Sequence, residues 1–141
     1  MTIIESLSKY FEACPILRGG KIRVDYLGEN PADRSITIDA VPCKPIIKQY
    51  ADGGTLRQYL FVIGSREYYS EDIFQNLVNN GLYEDLSAWI EQQDRAGIYP
   101  QLDGGRSCQS IEALSTAYLL EENPLSNNAR YQIQCRIIYT E

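Results

Sequence analysis

Histidine is absent from the 141 residues of this chain. That absence excludes Ser-His and Cys-His nucleophile pairs and every zinc set that uses imidazole. The cysteines, Cys14, Cys43, Cys108 and Cys135, stand far apart, with no Cys-x-x-Cys, so a four-cysteine metal site gains no support from spacing. No stretch approaches the run of about 18 apolar residues that reads as a transmembrane helix. The opening Met1-Thr2-Ile3-Ile4-Glu5-Ser6 lacks the basic region and apolar core of a signal peptide. Cytoplasmic residence is therefore expected, with the cysteines as buried reduced thiols acting as small hydrophobes. Phosphate-cradling glycine motifs are missing too: Asp52-Gly53-Gly54 and Asp103-Gly104-Gly105 have neither the P-loop nor the dinucleotide-binding form, and read as turns. No cofactor is implied.

What is present describes an ordinary globular domain. Hydrophobic residues make up 44% and charged residues 23%, so the chain has enough apolar material for a core. A single domain, 1–141, is expected, of a size that buries roughly 68–70% of its unfolded surface. The formal net charge of -6 opposes broad binding to phosphate backbones, so no nucleic-acid partner is expected.

Periodicity supplies the elements. Thr2-Ile3-Ile4-Glu5 has the form of a capping box, and Ile4, Leu7, Phe11 and Cys14 follow at helical spacing until Pro15, which predicts a helix over 3–13. Lys21–Leu27 and Ser35–Val41 alternate with a period of two and are expected to form an antiparallel hairpin around the turn residues 29–33. Pro42 and Pro45 mark an edge or bend. Thr55–Tyr68 reads as a strand whose apolar centre, Tyr59–Ile63, is covered on both faces.

Ser70-Glu71-Asp72 opens a helix whose stripe is Ile73, Phe74, Leu77 and Val78. Asn80-Gly81 interrupts the pattern. A second stripe, Leu82, Leu86, Trp89 and Ile90, runs to about Arg95 and stops at Gly97; Gly81 favours two helices over one kinked one. Two further strands, Ser107–Leu120 and Ala129–Tyr139, flank a polar hairpin tip at Glu121–Asn128. In the last strand Tyr131, Ile133, Cys135, Ile137 and Tyr139 share a face opposite Gln132, Gln134 and Arg136. The order α-β-β-β-α-(α)-β-β gives an α+β fold, an antiparallel or mixed sheet with helices packed on one face.

The acidic pairs Glu71-Asp72 and Glu84-Asp85 suit helix starts, and Glu121-Glu122 suits a solvated tip, so none is read as a catalytic pair. The compositional oddity is 11 tyrosines. Some belong to strand faces; others, Tyr50, Tyr68, Tyr69, Tyr83 and Tyr99, lie near element ends, where amphipathic rings serve protein contacts. Tyr50, Arg57, Tyr68, Tyr69, Tyr99 and Arg136 are the candidate subunit-interface residues.

The stretches Val24–Gly28, Lys48–Tyr59, Ser65–Ser70, Tyr83–Trp89, Ile111–Leu119 and Ala129–Cys135 resemble a group of small prophage-encoded proteins of Gram-positive bacteria. That group often carries a chloramphenicol-resistance label, yet chloramphenicol acetyltransferases use a histidine base that this chain lacks. Its element order is similar to that of tail-terminator proteins of long-tailed phages. The resemblance implies a virion assembly protein without enzymatic activity: a homo-oligomeric ring, hexameric in such proteins, that caps the tail tube protein and meets the head–tail connector. A neighbouring head–tail joining or minor capsid role belongs to the same expectation. Residence would then be the host cytoplasm during assembly and the head–tail junction of the virion afterwards. The alternatives are a small-molecule-modifying enzyme and a soluble prophage binding module. No functional residue of those families maps onto a single position here.

Overall fold

The computed structural model describes residues 2–15, 21–24, 35–68, 73–116, 118–123 and 128–141, with side chains at 21–24, 35–36, 65–68, 73–80, 82, 118–123 and 128–131 outside that description. Helix α1 spans Ile3–Glu12 and is closed by the expected capping box: the Thr2 hydroxyl accepts the Glu5 N–H at 3.2 Å, and the Thr2 N–H donates to the Glu5 carboxylate at 3.4 Å. Strands β1 (Lys21–Val24), β2 (Ser35–Val41), β3 (Ile46–Gln49) and β4 (Thr55–Tyr68) follow, then α2 (Ile73–Ala96), β5 (Ser107–Ala113), β6 (Tyr118–Asn123) and β7 (Asn128–Thr140). The protein is α+β, as its pattern of elements indicated.

Two long strands organise the sheet. β4 and β7 pair antiparallel from Leu56 opposite Thr140 to Tyr68 opposite Asn128. Each then has one free edge, and two shorter strands share it. β2 and β3 lie end to end along β4; β5 and β6 lie end to end along β7. The two halves thus repeat one plan: helix, interrupted strand, hairpin return. β1, laid outside β2, has no counterpart outside β5 among the described residues.

Directly opposed residues share a face of a sheet. Phe61 stands opposite Cys135, Ile63 opposite both Ile133 and Ile38, and Ile111 opposite Ile137. That face packs against Leu7 and Phe11 of α1 and Tyr83, Leu86 and Ile90 of α2 in one buried cluster. Phe11 ties the layers together, with its ring centroid 6.0 Å from Phe61, 5.7 Å from Trp89 and 5.3 Å from Tyr10. Each fully buried Leu, Ile or Phe here contributes about 1.5–3 kcal/mol over its exposed state. Val62, on the opposite face, is buried as well, but Leu60 on that face is half-buried, so the expected cover on both faces of Tyr59–Ile63 holds only in part.

Four expectations need correction. Lys21–Val24 runs parallel to β2, Lys21 opposite Ser35 and Val24 opposite Ile38, so the expected antiparallel hairpin is not formed. Alternation assigns faces and is blind to strand direction. α2 is one helix running through Asn80 and Gly81. A helical glycine costs about 1 kcal/mol, less than the burial of Tyr83, Leu86 and Ile90 returns. Its stop at Gly97 is as expected: φ is 71°, and the N–H groups of Gly97 and Ile98 donate to the carbonyls of Asp94 and Gln93. The run Ser107–Leu120 is broken into β5 and β6, and β6 reaches Asn123, inside the segment read as a tip. Finally, the residues after Pro45 form β3, which pairs with β4. The expected helix start Ser70-Glu71-Asp72 lies outside the described residues.

Candidate interaction surface

The two faces of the sheet differ in kind. Away from the helices, β4 presents Gln58 and Leu60, β7 presents Arg136 and Ile138, β2 presents Val41, and β5 presents Glu112, all half-buried. Register places Arg136 between Leu60 and Glu112. Its Nε donates to Glu112 Oε1 at 2.8 Å, its Nη2 meets the same oxygen, and its Nη1 donates to Gln58 Oε1 at 3.3 Å. The guanidinium thus joins three strands, β4, β7 and β5, on the face that also carries Leu60 and Ile138. Partial exposure keeps such an ion pair worth only about 0–1 kcal/mol to the fold, so its main effect is to fix the geometry of the face. Toward the other end the same face is closed: Thr37, Val62 and Gln132 are buried, although Gln132 belongs to the polar side of the last strand's alternation.

The sequence candidates do not converge on one site. Tyr50 sits exposed in the turn between β3 and β4, where its N–H donates to the Gly54 carbonyl and Lys48 Nζ lies 5.3 Å from its ring centre. Arg57 lies nearby on the helix-side face, opposite Tyr139; its Nε is 3.1 Å from a Glu141 carboxylate oxygen and 3.0 Å from Thr55 Oγ1. Arg136 is on the other face. Tyr99 follows α2 half-buried, donating its hydroxyl toward the Asp94 carbonyl and carboxylate, each 3.1 Å away. Tyr68 pairs with Asn128 through the backbone, its side chain outside the described residues, and Tyr69 lies wholly outside them. Tyr83, expected near an element end, is in the core. Glu112 and Gln58 were not singled out in the sequence, because their importance comes from lying across the strands from Arg136.

Two thiols and two phenols are held toward their neutral forms. Burial pushes the Cys108 thiol up to about 11, raises that of Cys135 further, and pushes the Tyr10 phenol up to about 12. Tyr99 is raised by burial and by the Asp94 carboxylate beside it. A nucleophilic cysteine needs the opposite shift. Cys14 and Cys135 are buried, as expected of all four, while Cys43 and Cys108 are half-buried. Glu84 and Asp85 are exposed in mid-helix rather than at a helix start. Among the described residues no group of three or more His, Cys, Asp or Glu side chains is placed to hold a metal. Nor is any described helix long and apolar enough to cross a membrane.

Shallow clefts complete the surface. One of about 310 Å³ lies between α1 and the segment after α2, lined by Lys9, Tyr10, Tyr99 and Asp103. A wider groove of about 570 Å³ separates α2 from β5 and is lined by Ser87, Glu91, Asp94, Glu112 and Leu114. A scan against models of protein families matches none, and a search of curated proteins returns no match.

Proposed function

We propose that this chain is a virion assembly protein of a prophage, a tail terminator that closes as a ring on the tail tube and meets the head connector. The observation that carries the reading is the face of the sheet that no described helix covers. There Val41, Leu60 and Ile138 remain half-buried around a guanidinium already fixed by Glu112 and Gln58. A rigid, mixed apolar and polar surface on a sheet suits protein contact. The phage assignment draws on the resemblance of Lys48–Tyr59 and the other matched stretches.

The test is association. Purified protein is expected to form a discrete oligomer in solution or on added tail tubes, seen by light scattering and electron microscopy at tube ends. A chain that stays monomeric at high concentration and never decorates tubes defeats the reading. So does acetylation of chloramphenicol from acetyl-CoA by the purified chain.

A further inference from the structure

Among the described residues the sheet leaves the outer edges of β1, β3, β5 and β6 unpaired, and the register places β3 and the start of β5 at the same end. β3 pairs with Thr55–Arg57 of β4. Ser107 and Cys108 of β5 pair with Thr140 and Tyr139, which in turn pair with Leu56 and Arg57. β3 and the start of β5 therefore stand at one level on opposite sides, with only β4 and β7 between them. Among the described residues no strand pairs the outer edge of either. On β5, the N–H of Ile111 is taken by Asp94 at 3.1 Å, while Ser107–Gln109 is the stretch level with β3; its ladder to β7 is bulged between Cys108 and Ser110, and its Ser107 carbonyl accepts from Gln109 Nε2 at 3.3 Å, a contact that an incoming strand displaces.

Direction and surface chemistry also match. β3 is antiparallel to β4, β4 to β7, and β7 to β5, so β3 and β5 run antiparallel to each other. A second copy displaced sideways presents its β3 to β5 in the more stable antiparallel sense. Of the exposed large hydrophobic residues among those described, Ile47 and Tyr50 belong to β3 and its turn, while Leu114 lies at the far end of β5, where its N–H donates to the Gln134 carbonyl. Residues 42–50 carry Lys44 and Lys48 and no acid, while α2 carries Glu84, Asp85, Glu91 and Asp94 against Arg95 alone.

We infer that the β3 edge of one copy docks on the β5 edge of the next, continuing the sheet head to tail. The occupant is a second copy of this chain, held by strand addition at Ser107–Gln109 with Lys44 and Lys48 turned toward the acidic side of α2. Such a heterologous contact closes into a ring when its rotation closes. The inference rests on the ring reading above and names the surfaces that would build it.

Three variants test it. Ile47→Asp with Lys48→Glu spoils the β3 edge through exposed side chains only. Gln109→Pro removes an N–H from the β5 edge, and Gln109→Lys supplies a milder form that keeps the backbone. Circular dichroism and melting identify folded variants. Each folded variant alone is expected to lose self-association at least about tenfold in Kd. An equimolar mixture of a β3-edge and a β5-edge variant is expected to form a dimer and nothing larger, because one good edge of each kind survives. Edge variants that assemble as the unchanged chain does overturn the edge assignment and leave the ring reading standing. A mixture that stays monomeric, while the unchanged chain assembles, also overturns it. An unchanged chain that remains monomeric with and without tail tubes overturns both.

Discussion

Asp94 on α2 reaches across to β5, where its Oδ1 accepts the Ile111 N–H at 3.1 Å. One helix carboxylate thereby caps one outward donor of an edge strand. The same oxygen lies 3.1 Å from the Tyr99 hydroxyl, so Asp94 joins the end of α2, the segment after it and β5. An edge managed in this way is shielded from indiscriminate pairing.

Asp94→Ala should therefore destabilise the fold more than an ordinary surface change. It deprives the part-buried Ile111 N–H of its acceptor and leaves the Tyr99 hydroxyl only the Asp94 backbone carbonyl, at a cost of about 1–3 kcal/mol. Asp94→Asn retains an acceptor oxygen and should recover most of that loss. Urea unfolding of the three proteins measures the difference. Equal midpoints for Asp94→Ala and the unchanged chain refute the capping role.

Thr37 makes the opposite case. It is fully buried, and among the described residues its Oγ1 has no hydrogen-bond partner. An unpaired buried hydroxyl loses its hydration without return, so Thr37→Val, which keeps the shape, is expected to stabilise by about 1 kcal/mol. The thermal midpoint should rise by a few degrees, roughly as the size scaling gives for a domain of this length. An unchanged or lower midpoint contradicts this account.

Alkaline pH should loosen the fold through Tyr10 and Cys108. Burial raises Tyr10 from 10.0 to about 12 and Cys108 from 9.0 to about 11. Both groups are neutral when protonated, and the folded state favours that form. Their contribution is complete below the unfolded values and is lost as pH rises through the folded ones, from about 9 to about 12. The Tyr10 hydroxyl also donates to the Ile98 carbonyl at 2.8 Å, a bond lost on ionisation. Melting temperatures taken across that range should fall, and Tyr10→Phe with Cys108→Ala should flatten the slope. An identical slope in the double variant removes these groups as the cause.

The parts of the fold legible in the sequence are those fixed locally. The capping box at Thr2 and Glu5, the stripe Leu7–Phe11 and the alternation of Ile133, Cys135, Ile137 and Tyr139 each report a period or a cap, and each is realised. Whatever depends on a partner strand was not legible. The direction of β1 is set by its pairing with Ser35–Ile38, which alternation does not encode. The break after β5 falls at Leu114–Thr116, a stretch with neither glycine nor proline to announce it. Arg136 could be chosen as a contact residue from its place in an alternating strand. Its partners Glu112 and Gln58 lie 24 and 78 positions away, and only the sheet register brings them together.

Gly81 shows how a local signal is overruled. It weakens the helical pattern, yet α2 passes through it because the residues beyond, Tyr83, Leu86 and Ile90, must reach the same core. The glycine then remains as a pure cost. Its φ is not among the positive values of the chain, and a Cβ built there meets nothing within 4 Å apart from its own helix and chain neighbours. Gly81→Ala should accordingly stabilise by about 0.5–1 kcal/mol, partly by restricting the unfolded chain. Hydrogen exchange should slow most in the turns flanking residue 81, alongside a higher unfolding midpoint. A destabilised Gly81→Ala protein means that residue 81 serves a close approach or a bend, and the picture of one uninterrupted helix then fails at that point.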